Sequence, residues 1–325
     1  MFSAWQNNPH PSNTRENGVE STPAHAKHEK QSVNLVLTVV EITAPVFLLG
    51  LIGFVWVKLG LDYPMQFVTR MAMTLGVPCL IFVALMQTEI DPAALATVSL
   101  ASLAAYLAVI AVFWAIVAGL GLNRATYLSP LIFGNTGNIG LPLALFAFGS
   151  EGLGYAVVIF GVMAVINFTF GIWLVTGGGS LRRLVQEPLV GATLLGAVFL
   201  WQGWETPVFL TNTLELIGQL GIPLMLVTLG VAVARLRPGL IRQAVWLSLL
   251  KFGLCAGAGV AAGLWFGLAP VAFAVLVLQL ATPVAVTSYL LAEKYGSDAQ
   301  AVAGLVVVST LLSVLGLPLI LAFVI

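Results

Sequence analysis

The feature that most constrains this chain is the regular alternation, from residue 34 onward, of long apolar segments with short breaks rich in charge, glycine and proline. Each segment is about 20 residues long, which is the length an α-helix needs to cross the hydrocarbon core of a bilayer. Nine breaks therefore predict ten membrane-spanning helices. Their approximate bounds are 34–58, 65–88, 94–120, 126–148, 152–176, 187–202, 208–234, 245–267, 270–291 and 299–324.

The composition supports an integral membrane protein. Apolar residues make up 59% of the 325 residues and charged residues only 8%, whereas a soluble domain carries about 25% charged residues. The 13 basic and 13 acidic residues balance, so no basic excess exists to bind a nucleic acid. Soluble enzymes and nucleic-acid-binding proteins are excluded, and the lipid bilayer is the first predicted partner.

Metal sites and cofactors are not expected. The only cysteines, Cys79 and Cys255, lie in separate apolar segments, and all three histidines lie in the first 28 residues. The apolar body therefore offers neither a thiolate cluster nor an imidazole ligand. It also lacks a nucleophile with a neighbouring base and a close pair of carboxylates at membrane depth, which argues against a membrane-embedded enzyme.

The polar residues predict an N-terminal tail and the orientation of the spans in the membrane. Residues 1–33 are polar and rich in turn formers, which predicts a disordered tail and not a signal peptide. Basic residues border the loops after the odd-numbered spans, whereas the loops after the even-numbered spans contain acidic residues and no Lys or Arg. The positive-inside rule then places the odd loops in the cytoplasm. We predict a multi-pass protein of the cell (inner) membrane with both termini outside.

The two halves of the chain resemble each other. Leu75–Pro78 matches Leu220–Pro223, and Phe148–Glu151 matches Tyr295–Asp298, both at a spacing of about 145 residues. Each half contains five predicted helices, so the second copy enters the membrane from the opposite side. Such inverted repeats are typical of secondary transporters, although channels contain them as well. The predicted organisation is a tail at 1–33, a first repeat at 34–176, a short cytoplasmic linker at 177–186 and a second repeat at 187–325.

The fourth and ninth spans, which are equivalent in the two repeats, are both interrupted. Residues 134–142 contain three glycines, a proline and three hydrogen-bonding side chains, and residues 279–283 contain Gln, Thr and Pro. Proline and glycine weaken a helix, and the freed backbone groups must then be satisfied by protein, water or ligand. A structural kink is one interpretation; the paired amides favour a substrate site. The candidate substrate-binding residues are Asn135, Thr136, Asn138, Pro142, Gln279, Thr282 and Pro283.

The stretch from Asn135 to Leu143 resembles the signature of the auxin efflux carrier family, whose bacterial members include malate and malonate permeases. Residues 221–230, 282–298 and 309–313 resemble that family more weakly, and the likeness extends over about 34–325. It implies ten spans in two inverted repeats with crossing broken helices, carriage of an organic anion, substrate contacts from Asn138, Pro142 and Pro283, and dimers in many members. The short linker differs from the long hydrophilic loop of plant members, which makes auxin a doubtful substrate.

Two ionisable residues inside predicted spans are further candidates, because a charge in the bilayer is costly and is usually functional. Glu41 in the first span is either a proton-coupling carboxylate or a residue at the rim of the membrane. Lys251 in the eighth span either extends to the cytoplasmic surface or points inward, where it would contact a carboxylate substrate.

The predicted function is secondary transport of a small organic anion by alternating access, with H⁺ or Na⁺ as the candidate coupling ion. The chain lacks a phosphate-binding loop, so an ATP-driven pump is not expected. A passive channel or uniporter for small solutes is the alternative, and a membrane-embedded enzyme is a third hypothesis with little support.

Overall fold

The computed structural model describes residues 24–171, 173–174, 188–236 and 241–324. Throughout these residues the chain is helical, and its only β-type pairing is one isolated bridge. The helices are α1 Ala24–Lys58, α2 Met65–Met86, α3 Pro92–Gly119, α4 Arg124–Ile132, α5 Thr136–Gly171, α6 Pro188–Gln202, α7 Val208–Arg235, α8 Ile241–Trp265, α9 Pro270–Leu280, α10 Val286–Tyr295 and α11 Ala299–Val324.

Seven segments in the described residues are long and apolar enough to cross a membrane, and two shorter apolar helices, α6 and α9, accompany them. The crossing segments are Leu37–Lys58, Met65–Met86, Pro92–Gly119, Thr136–Gly171, Val208–Arg235, Ile241–Trp265 and Ala299–Val324. The prediction of an all-α, multi-pass membrane protein is confirmed.

The first helix begins earlier than the sequence indicated. α1 starts at Ala24, inside the segment predicted as a disordered tail up to residue 33. The part of α1 that is long and apolar enough to span a membrane begins only at Leu37. The added turns are rich in Ala, Lys, Glu and Gln, which are strong helix formers, so the helix continues beyond its apolar part. Residues 1–23 and the predicted linker 177–186 lie outside the described residues.

A glycine divides the longest apolar segment. Gly149 in α5 has φ 63° and ψ −150°, a conformation that is not helical and that a residue with a Cβ rarely adopts. The break lies within the region where charge and glycine predicted one, at residues 149–152. α5 therefore consists of two helical arms, residues 136–148 and 150–171.

Two groups of helices account for most of the packing. In the first, α1 packs against α7, and α2 packs against α6 and α7. The α1–α7 approach requires glycine, because a Cβ on Gly53 would collide with the carbonyl of Val227 and one on Gly230 with the carbonyl of Gly50. In the second group, α8 packs against α3, α9 and α11. The interrupted helices lie with this second group, so the interior of that group contains the candidate site.

Candidate functional site

The two interrupted regions meet each other. Residues 133–135 separate α4 from α5, and residues 281–285 separate α9 from α10. The two breaks form an antiparallel bridge between Gly134 and Val284. The backbone N–H of Asn135 donates to the carbonyl of Pro283 at 2.7 Å. Backbone groups freed by the two breaks thus satisfy each other at the point where the broken helices cross, which we call the crossing.

The crossing is tight because glycines face polar side chains of the other break. A Cβ on Gly134 would collide with the hydroxyl of Thr282, and a Cβ on Gly140 would collide with the amide of Gln279. Thr282 also donates from its hydroxyl to the carbonyl of Gln279 at 2.7 Å, which closes the end of α9. The structure therefore brings the predicted residues of the fourth and ninth spans together.

Several polar atoms at the crossing are buried without a partner. Within the described residues, Asn135 Nδ2, Thr136 Oγ1 and both side-chain amide atoms of Gln279 have no hydrogen-bond partner. Thr136 and Gln279 are fully buried, and Asn135 is 5% exposed. Leaving such a group unpaired costs about 1–3 kcal/mol. A cluster of these groups is therefore expensive to maintain unless a ligand or water binds to it.

Two helix N-termini begin at the crossing. Asn135 precedes α5 and Ala285 precedes α10, and neither position caps its helix with a side-chain hydrogen bond. The first N–H groups of a helix lack intrahelical partners and carry a partial positive charge. The crossing therefore combines two ends that favour an anion with amide and hydroxyl donors.

Ser309 on α11 supports the second break, a role that the sequence analysis missed. The N–H of Val284 donates to Ser309 Oγ at 3.0 Å, and the Ser309 hydroxyl donates in turn to the carbonyl of Val306 at 3.3 Å. The side chain is 5% exposed. The sequence signal was a hydroxyl in an otherwise apolar helix, but only the fold reveals which backbone group it meets.

The break in the fourth span is shorter than the sequence predicted. Of residues 134–142, only the first two are non-helical, and residues 136–140 form a π-helical turn at the start of α5. Pro142 is buried in the first turns of the helix, where the missing N–H costs little. Asn138 lies in the same π-turn and is partly exposed, unlike Asn135.

Lys251 points into the protein, which decides between the two placements that the sequence left open. The residue is 2% exposed, and its ammonium donates to the carbonyl of Leu131 at 3.3 Å. Leu131 belongs to the last turn of α4, just before the crossing. Lys251 therefore approaches the crossing from the carbonyl end of a broken helix and not from its N-terminal ends.

Glu41 does not join this cluster. It is exposed on α1, a helix that packs mainly against α7. The structure therefore brings together the candidates of the fourth and ninth spans, adds Lys251 on α8 at the end of α4, and leaves Glu41 apart from them.

Comparisons with known proteins agree with these features. Residues 173–321 match a protein family described as membrane transport protein. An "Uncharacterized transporter" of Methanothermobacter thermautotrophicus is 28% identical over 86% of this chain and 96% of the relative. A Rhizobium meliloti protein named "Putative malonate transporter" is 26% identical over 83% of this chain and 91% of the relative.

These similarities confirm the resemblance to bacterial permeases of the auxin efflux carrier family that the motif at residues 135–143 indicated. Similarity to these proteins indicates a transporter and not an enzyme.

Proposed function

We propose that this transport protein carries a small carboxylate across the cell membrane by alternating access, and that the anion binds at the crossing. The observation that carries the proposal is the cluster of buried, unpartnered polar atoms on Asn135, Thr136 and Gln279 beside two helix N-termini. Amide N–H and hydroxyl groups donate to carboxylate oxygens, and helix N-termini stabilise negative charge. A carboxylate would satisfy both features at once.

The remaining candidates have different roles in this proposal. Thr282 and Pro283 shape the second break, and the carbonyl of Pro283 holds Asn135 in place. Pro142 lies in the first turns of α5, and Asn138, which is partly exposed, lies where an arriving anion would first meet the site. Lys251 supplies positive charge from the end of α4.

The name of the Rhizobium meliloti relative supports malonate as the first substrate to test. The donor groups of Asn135, Thr136 and Gln279 lie at one tightly packed junction, which favours a short dicarboxylate over a large anion.

Equivalent pairs of helices in the two halves pack in the same way, which supports alternating access. α1 packs against α7, and the equivalent helices α6 and α2 pack against each other. Gly76 and Gly221, which are equivalent in the repeat, are in direct contact: a Cβ on Gly76 would lie 2.9 Å from the Cα of Gly221. Contact between equivalent residues is expected near the two-fold axis of an inverted repeat.

We infer ten membrane spans from these helices. The two arms of α5 contribute separately, α4 with the first arm forms one broken span, and α9 with α10 forms the other. The first, second, sixth and seventh spans then form a scaffold, and the other spans form the moving unit that carries the crossing. This arrangement exposes one site alternately to each side, with both termini outside the cell.

The experiment is a thermal-shift titration of the purified protein with malonate, other short dicarboxylates and neutral analogues. Asn138→Asp adds a negative charge at the proposed entrance with little change in size. Asn212→Asp, at an exposed position on α7, is the matched control. We expect malonate to stabilise the wild type and the control. The Asn138 variant should require about tenfold more malonate, because the added carboxylate repels the arriving anion, and a tenfold change corresponds to about 1.4 kcal/mol.

Equal stabilisation of both variants would contradict a site at the crossing. Stabilisation by neutral analogues as well as by malonate would contradict an anion site.

A further inference from the structure

Lys251 has an unusual environment for a lysine. Its side chain is 2% exposed, although lysine is rarely buried unless it is paired. The ammonium contacts the Leu131 carbonyl at 3.3 Å and the Cys255 thiol at 3.9 Å. Tyr106 on α3 and Ser248, one helical turn away on α8, are also buried, and their hydroxyls have no partner in the described part of the chain. The surroundings are therefore polar but neutral.

No carboxylate balances this charge among the described side chains. The helices packed against α8 are α3, α4, α9 and α11. Among titratable residues α3 carries Tyr106, α4 carries Arg124 and Tyr127, and α9 and α11 carry none; α8 itself adds Arg242 and Cys255. Arg124 lies over the ring of Trp114, and the hydroxyl of Tyr127 donates to Gln243. Among the described residues, the lysine thus contacts a thiol and the carbonyl at the end of a helix, but no anion.

A buried ammonium without a counter-ion is costly, and the cost falls either when the proton leaves or when an anion approaches. The carbonyl end of α4 stabilises the ammonium in part, because the C-terminus of a helix carries partial negative charge. An anion at the crossing would supply the missing charge. The chain from Leu131 to Asn135 spans at most about 14 Å, so a substrate at the crossing would lie within electrostatic range.

We propose that Lys251 is the proton-coupling group of this transporter. It binds a proton when the anion occupies the crossing and releases it when the anion leaves, so that one proton crosses the membrane with each anion. The proton comes from water on the side where the anion enters and returns to water on the other side. This proposal rests on the proposed function, and it assigns coupling to Lys251 where the sequence had indicated Glu41.

Linkage gives the expected magnitude and sign. At an effective dielectric constant of about 20, two charges separated by about 10–17 Å interact strongly enough to change an equilibrium constant by about five- to fifteenfold. By reciprocity the anion raises proton affinity at Lys251 by the factor by which the proton raises anion affinity. Malonate binding is therefore expected to weaken about tenfold as rising pH removes the proton.

The test uses proteoliposomes that contain a trapped pH indicator. We expect malonate influx into wild-type vesicles to acidify the interior, and malonate affinity to fall as pH rises. Lys251→Met, which keeps the length of the side chain and removes the charge, is expected to exchange malonate without moving protons and to bind it with an affinity that does not depend on pH. Ionisation of malonate itself affects both proteins alike.

Two further variants keep the test decisive. Lys251→Arg retains a permanent charge, so it should bind malonate but show no pH dependence, even if the Met variant fails to fold. Glu41→Gln is the control and should keep proton movement intact. Proton influx that persists in either Lys251 variant, or malonate influx without protons in the wild type, would overturn the proposal. Absence of malonate exchange in the wild type would instead contradict the proposed function.

Discussion

Gln279 provides the sharpest test of the crossing as a binding site, because stability and transport should change in opposite directions. Its side chain is fully buried, and neither of its amide atoms has a hydrogen-bond partner in the described structure. Each unpaired group costs about 1–3 kcal/mol. Gln279→Met keeps a similar length and volume and removes both groups. We expect the free energy of unfolding to rise by about 2 kcal/mol, the lower end of the combined cost.

The measurement is the melting temperature in detergent with and without malonate. For a chain of this size, about 2 kcal/mol corresponds to a rise of about 3 °C. We expect the variant to melt higher than wild type without malonate and to show no further stabilisation with it. Gln219→Met, at an exposed position on α7, is the matched control and should change neither quantity. A lower melting temperature for the Gln279 variant, or unchanged stabilisation by malonate, would refute the reasoning.

Three further predictions address the construction of the site and the orientation of the chain. Gly134→Ala should destabilise the protein by about 1–3 kcal/mol, because the added Cβ collides with Thr282. Thr282→Ala in the same chain should restore part of this stability. The control in the same melting assay is Gly257→Ala on α8, where an added Cβ meets nothing. Ser309→Ala should cost about 1–3 kcal/mol by leaving the buried N–H of Val284 unpaired, measured as a lower melting temperature, and an unchanged value would argue against this support. Because the C-terminus is predicted to lie outside, alkaline phosphatase fused to it should be active. An inactive phosphatase fusion, together with a fluorescent cytoplasmic reporter at the same position, would contradict this orientation.

The sequence predicted the positions of the helices well because their signals are local. Apolar length predicted where helices lie, and clusters of glycine and charge predicted where they end. The break at Gly149 is an example: a glycine followed by Ser150 and Glu151 interrupts an otherwise apolar segment, and the structure has a non-helical residue there. α1 extends beyond residue 33 back to Ala24, because apolar length determines where a helix enters lipid and not where its hydrogen bonding begins.

The fine geometry of the crossing could not be predicted because it depends on contacts between distant residues. The motif at residues 134–142 indicated an interruption, but only the fold, with its bridge to Val284, reveals that residues 133–135 are non-helical and that Pro142 is inside a helix. Ser309 is distant in sequence from both breaks, so its role is visible only in the fold.

Lys251 illustrates the same limit for charge. A lysine one or two turns inside a predicted span can extend toward the surface or turn inward, and both conformations fit the sequence equally well. The neighbouring carbonyl of Leu131, at 3.3 Å, decides between them, and it comes from a helix 120 residues earlier in the chain. Glu41 was also a candidate from the sequence, and its side chain is exposed.

The most direct test of a carrier with its anion site at the crossing is counterflow of labelled malonate in proteoliposomes loaded with excess unlabelled malonate. A carrier that alternates access exchanges the labelled malonate outside for the unlabelled malonate inside. Labelled malonate should therefore accumulate transiently above equilibrium in vesicles with the wild type or the Asn212→Asp control. It should not do so with Gln279→Met or Asn138→Asp. Equilibration without overshoot in the wild type would indicate a passive channel. Overshoot that persists in both crossing variants would contradict the location of the site.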